Sequence, residues 1–322
     1  MTPKMIRLLA SELFFERTGQ TRGFDRKLWW KFLQRNEETL SIQYLSSLEE
    51  SRASVKKSSI REYFDFLMDA LKLEINPALI LNMDETGCSS KPDKNTKIKC
   101  VVHSGSLIKP YFQEKDDYRQ VSIVSTISLN GTSLKPLLII PRKRYINELS
   151  ILDVYDDMDY IYSESGYMNE ECMLHYINEI LSPYIFTQRL HIGSKFSPCI
   201  LIMDNLKCHN TLEVSNTFSN IKDFQIIFLP PHSSHFLQPL DLSFFGIFKH
   251  YYSQCRSINP ADTLKQKVLN IHKALYQTSC IDNIKKSFSC AGIGISTNEE
   301  GKKEIFFDTE KIEKLISQGI GE

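Results

Sequence analysis

The stretch Leu201-Ile202-Met203-Asp204-Asn205-Leu206-Lys207-Cys208-His209 drives an apolar run, the mark of a buried strand, straight into an aspartate and a polar turn. Residues 78–85, Ala-Leu-Ile-Leu-Asn-Met-Asp-Glu, do the same far upstream. In open α/β sheets a residue at the carboxyl end of a strand sits at the mouth of the crevice where ligands bind. If the two strands are neighbours, Asp84 and Asp204 converge, and converging carboxylates repel each other unless a cation lies between them. Hard oxygen donors on an apolar floor suit magnesium.

The surrounding text sets the fold class. From Pro77 the chain runs in short β-type segments, 78–84, 97–104, 120–129 and 134–141, with Asn130-Gly131 as a hairpin signal because both residues tolerate positive φ. A helix is predicted at roughly 169–187, followed by a strand ending at Asp204, a helical stretch after Asn210, a strand at 224–229 and a helix from near Pro239. Antiparallel strands first and alternating strand and helix afterwards predict an α/β architecture, a mixed sheet with helices on its faces. Residues 1–75 show helical spacing in IRLLASELFF, KLWWKFLQ and SIREYFDFLMDALKL, which predicts at least three helices. The reading divides the chain into a helical domain at 1–75, a sheet domain at 76–295 and a charged C-terminal tail at 296–322.

Composition bounds the rest. With 322 residues, 42% of them apolar, the chain can bury a substantial core. Lys plus Arg balance Asp plus Glu at 39 each, so attraction for phosphates has to come from local clusters. Residues 1–60 carry such a bias, eleven basic against seven acidic. The eight cysteines are scattered without a C-x-x-C pair, which fits a reducing compartment. No signal peptide and no run of 18 apolar residues appears, so the expectation is cytosol or nucleus and no membrane partner.

A third acid comes from 228–252, FLPPHSSHFLQPLDLSFFGIFKHYY. Pro230 and Pro231 stop a strand, His232 to His235 form a polar loop, and Pro239 opens the helix that carries Asp241. A first-turn aspartate is also an ordinary answer to the helix dipole. His209, His232, His235 and Cys208 lack the paired spacing of a zinc site. Lys249 and His250 lie two turns past Asp241, within reach of a phosphate or simply solvated. Arg142-Lys143-Arg144 follow a strand and are either a contact to a nucleic-acid backbone or an exposed soluble turn. Trp29, Trp30 and Phe32 are read as core of a small helical unit.

Taken together, Asn82-Met83-Asp84-Glu85-Thr86-Gly87, Asp204-Asn205 with His209, and Leu229-Pro230-Pro231-His232-Ser233-Ser234-His235 through Gln238-Pro239-Leu240-Asp241 to Lys249 resemble the DDE superfamily endonucleases, in particular the pogo/Tigger/jerky group of mariner-like transposases. The similarity covers most of residues 75–295. It implies an RNase H-like fold in which Asp84, Asp204 and Asp241 hold two Mg2+ or Mn2+ ions for in-line cleavage and strand transfer of DNA. Glu85, one position along the strand, is expected on its opposite face and outside the ligand set. His209 is expected to orient the loop or the scissile phosphate, and Arg142, Lys143, Arg144 and Lys249 to contact DNA. No small-molecule cofactor is implied. Leu28–Asn36 resembles a centromere-protein-B-type helix-turn-helix half. The preceding half usual in the group is not expected in this chain, which leaves one module reading fewer bases. The resemblance further implies a nuclear location and a homo-oligomer on DNA. The alternative is a domesticated or decayed transposase that serves as an inactive DNA-binding scaffold.

Overall fold

Residues 3–20, 25–36, 38, 55–71, 75–88, 121–141, 157–205, 211–259, 263–297 and 303–320 are described by the computed structural model. The chain divides into two compact units, Met1–Glu49 and Glu50–Glu322. The described helices of the first are α1 (Pro3–Thr18) and α2 (Arg26–Arg35), the latter opened by Asp25, whose side chain accepts from Leu28 N–H at 2.8 Å.

The apolar runs of the second unit form one six-stranded sheet. Its strands are β1 (Ile80–Cys88), β2 (Val121–Ser128), β3 (Leu137–Pro141), β4 (Asp159–Ser163), β5 (Cys199–Met203) and β6 (Phe224–Phe228), ordered β4-β3-β2-β1-β5-β6. β1, β2 and β3 pair antiparallel, whereas β5 joins β1 in parallel and β6 joins β5 in parallel. That meander with its first strand central and parallel strands added beside it is the RNase H-like order, here with β4 added in parallel along β3. Every residue of β2, β3 and β5 is buried, as expected of strands covered on both faces. The strand expected at 97–104 lies outside the described residues.

The hairpin forms at Asn130-Gly131, but only Gly131 takes positive φ, at 98°. Gly131 N–H bonds Ser128 O at 2.9 Å, and Asn130 Oδ1 accepts from Thr132 N–H at 3.0 Å, so Asn130 serves through its side chain.

The predicted helix at 169–187 extends further. Asn169 caps α4 (Glu170–His175), which passes through a π-helical turn, Tyr176–Leu181, into α5 (Ser182–Ile192) and stops at left-handed Gly193. The Tyr176 hydroxyl reaches Thr126 Oγ1 on β2 at 2.6 Å. Near the far end, buried Arg189 donates to the carbonyls of Ser197 (2.9 Å), Lys222 (2.7 Å) and Asp223 (3.1 Å), joining the turns that precede β5 and β6. Next come α6 (Leu212–Ser219), the short α7 (Ser234–Leu237), a π-helical turn at Leu240–Phe244, α8 (Phe245–Ile258), α9 (Leu264–Thr278) and α10 (Ile281–Cys290).

The structure draws the unit boundary elsewhere than residue 75. Helix α3 (Lys57–Leu71) belongs to the sheet-bearing unit, and residues 296–322, expected as a tail, are largely folded onto it. β7 (Ile293–Thr297) and β8 (Lys303–Phe307) form a hairpin, and α11 (Thr309–Ile316) follows. Ile320 N–H bonds Val55 O at 2.7 Å, and Lys57 N–H bonds Ile320 O at 3.2 Å. Charge counts described only the outer side of α11, because Ile312, Leu315 and Ile316 form a buried stripe.

Candidate functional site

β1 and β5 pair as Ile80 with Ile200, Leu81 with Leu201 and Asn82 with Ile202. The same register carried two residues on sets Asp84 level with Asp204. Aligned residues of parallel neighbours share a face, so these carboxylates lie on one side of the sheet. Asp84 is buried and Asp204 half-buried.

Asp241 arrives from the other end of a long loop. β6 ends at Phe228, Leu229 N–H bonds Met203 O at 3.0 Å, and Ser233 turns the chain with its Oγ on Pro230 O at 2.6 Å. His232 adopts φ 64°, and α7 then leads to Gln238. Asp241 stands exposed in the first turn of the π-helical segment, a geometry found often where a helix must re-aim a functional group.

Three hydrogen bonds fix that segment to β1, and a fourth ties β1 to β5. Asn82 Nδ2 donates to Ile202 O at 3.0 Å and to Gln238 Oε1 at 2.7 Å, while Leu240 N–H donates to Asn82 Oδ1 at 3.0 Å. Gln238 Nε2 donates to Met83 O at 3.1 Å. Both amide side chains are 0% exposed. Their place inside the two recognised motifs was the only sequence signal for them.

The electrostatics report the same gathering. The Asp84 carboxyl is raised well above the ordinary carboxylate range, first by burial and then by the charges of Asp241, Glu85 and Asp204, against a lowering backbone hydrogen bond from Glu85. Strand alternation places Glu85 on the face opposite Asp84, where its charge also bears on Tyr176. Ser125 on β2 is paired with Asp84, and its buried hydroxyl has no hydrogen-bond partner among the described residues. These donors are all oxygens, which fits a hard divalent cation. Among the described residues no three His, Cys, Asp or Glu groups stand close enough to hold an ion, so the acids are neighbours and not a closed cage.

Of the residues expected to contact DNA, Lys249 is exposed on α8, and its charge acts on Cys88 at the end of β1. Arg142, Lys143, Arg144 and His209 lie outside the described residues. In the first unit, Trp29 is buried and stacks on Phe32 at 5.7 Å, but Trp30 is 62% exposed and is not core. Consecutive helical positions point about 100° apart, so both tryptophans cannot face inward. Lys27, Trp30, Lys31, Gln34 and Arg35 recur at helical spacing and share one exposed basic face of α2.

Residues 118–289, a little over half of the chain, match the family described as DDE superfamily endonuclease. That stretch contains Asp204 and Asp241, with Asp84 upstream of it. Over 236 residues, 71% of this chain, the sequence is 25% identical to part of the MFS-type transporter clz9 of Cochliobolus lunatus; it covers 24% of that protein, so the chain spans about a quarter of its curated relative. No helix among the described residues is long and apolar enough to cross a membrane. Solved structures with a distant likeness include a pre-cleavage Mos1 transpososome (TM-score 0.44, 13% identity, 87% of this chain and 77% of that one). Another is the catalytic domain of Mos1 mariner transposase (TM-score 0.38, 13% identity, 76% of this chain and 97% of that one). With the strand order and the matched residues in agreement, the chain belongs to the DDE superfamily endonucleases.

Proposed function

We propose that this protein is a transposase-type endonuclease of the pogo/Tigger/jerky group, cleaving DNA phosphodiesters and transferring the freed strand with the help of two Mg2+ or Mn2+ ions. The register that sets Asp84 level with Asp204, with the charge of Asp241 acting on Asp84, carries this reading. Asp84, Asp204 and Asp241 are the residues that hold the ions. Bound there, divalent cations supply an acidified water and charge neutralisation at the phosphoryl oxygens. Burial and neighbouring negative charge make the Asp84 carboxylate costly when bare, which favours uptake of cations. The exposed face of α2 and Lys249 contact DNA phosphates, and Arg142, Lys143, Arg144 and His209 are assigned the same partner. A nuclear location and an oligomer assembled on DNA complete the proposal.

The test is nicking of supercoiled plasmid with Mg2+ beside Asp204→Ala. Cleavage by wild type alone supports the enzyme, and equal nicking by both removes it. A second reading, an inactive DNA-binding scaffold, draws support from the open arrangement of the acids. Salt-sensitive binding without nicking selects it.

A further inference from the structure

Asn82 touches all three segments that bear the acids. It lies on β1 two positions before Asp84, on the same face. It donates to the carbonyl of Ile202, two positions before Asp204, and it accepts from the N–H of Leu240, next to Asp241. Gln238 closes the arrangement by accepting from Asn82 and donating to Met83 O, beside Asp84. We infer that Asn82 and Gln238 are positioning residues that set the spacing of the three carboxylates and so the affinity for divalent cations.

Several features separate this from ordinary core packing. β1 and β5 already pair along their backbones, so adjacency of Asp84 and Asp204 does not need the amide. Asp241 is different, since it sits on an exposed π-helical turn more than thirty residues after Asp204. The described bonds from side chains of β1 to this turn and to the residue two positions before it are those of Asn82. A planar amide with donors on one side and an acceptor on the other reads two backbone groups and a partner amide at fixed geometry, which an apolar residue of equal volume cannot do. A buried polar network satisfied in this way specifies one arrangement among several of similar packing.

The inference rests on the metal-dependent reading above, and the experiment separates the two. Mn2+ binding is measured by calorimetry on the full chain for wild type, Gln238→Met and the double variant Asn82→Leu/Gln238→Leu, with thermal melts, DNA anisotropy and plasmid nicking alongside. Replacing both amides together leaves no partner amide unsatisfied, but the Leu240 N–H and the Ile202 and Met83 carbonyls lose a bond, so the double variant melts below wild type and is compared at a temperature where the melts show it folded. Expected are a loss of Mn2+ affinity of at least tenfold, a matching rise in the Mg2+ concentration needed for nicking, and unchanged DNA affinity. Gln238→Met, which keeps the length of the side chain, gives the same direction and serves if the double variant does not fold. Folded variants that bind Mn2+ as wild type does overturn the positioning role and leave the enzyme reading standing. Wild type that binds no Mn2+ and nicks no DNA overturns both.

Discussion

Asp84 and Asp204 stand level because Ile80, Leu81 and Asn82 pair with Ile200, Leu201 and Ile202 and each aspartate follows two positions past the last of these pairs. Neither residue is near the other in sequence, and the relationship exists only through the register. Burial and the charges of Asp241, Glu85 and Asp204 raise the Asp84 carboxyl. A carboxyl raised on folding contributes its stability below its ordinary value and loses it as pH climbs through the folded one. Metal-free Asp84→Asn should therefore exceed wild type in stability at pH 7 by about 1–3 kcal/mol. The gap should vanish near pH 4, and Mg2+ should stabilise wild type alone. Urea unfolding at both pH values, with chelator and with Mg2+, reads this out; a less stable Asp84→Asn at pH 7 without metal contradicts it.

Lys267 offers a second pH test. It is 1% exposed, and burial lowers its ammonium to about 8 from an ordinary 10.5, with Arg256 lowering it further and Cys88 opposing. A cation depressed on folding contributes stability above its ordinary value, and that contribution is lost as pH falls through the folded one. Lys267→Met should be more stable than wild type at pH 7 by up to about 3 kcal/mol, narrowing by pH 9. The Cys88 thiol, pushed up to about 12 from 9.0, titrates above that window. An advantage that is constant between pH 7 and pH 9 would point to packing alone.

On α2, the pair Lys27→Gln and Lys31→Gln should weaken DNA binding uniformly across sequences and reduce the salt slope by about one for each phosphate that a lysine no longer neutralises. Fluorescence anisotropy from 50 to 200 mM salt measures both. Trp29→Ala should instead unfold the first unit, because Trp29 is buried where Trp30 is not.

Gly131 holds φ at 98°, and a Cβ placed there meets Ile281 Cγ2 at 2.8 Å. Gly131→Ala should cost about 1–3 kcal/mol through backbone strain and displacement of α10. Pairing it with Ile281→Ala, which removes the Cγ2 that the new Cβ meets, should recover part of the loss in denaturant melts, since only the steric share is relieved.

What the sequence made legible was what is local. An apolar run ending in aspartate marks the carboxyl end of a buried strand wherever it occurs, so Asp84 and Asp204 were readable, and the change from antiparallel to alternating elements carried the sheet type. The bond of Asn82 to Gln238 joins residues 156 positions apart, and no periodicity encodes that. The π-helical turn under Asp241 escaped for a similar reason, because spacing predicts a helix without its winding. Helical spacing identified α3 but not the body it packs on, since amphipathicity names a buried face without naming its partner.

Ile320 is bonded to both Val55 and Lys57, which bears on how such a unit is carried. Residues 55 and 320 of this body meet at a single spot, like a bead tied by one knot. A longer protein can hold it as an internal cassette without stretching either flank, and the same closeness makes new termini tolerable at an exposed turn on its surface.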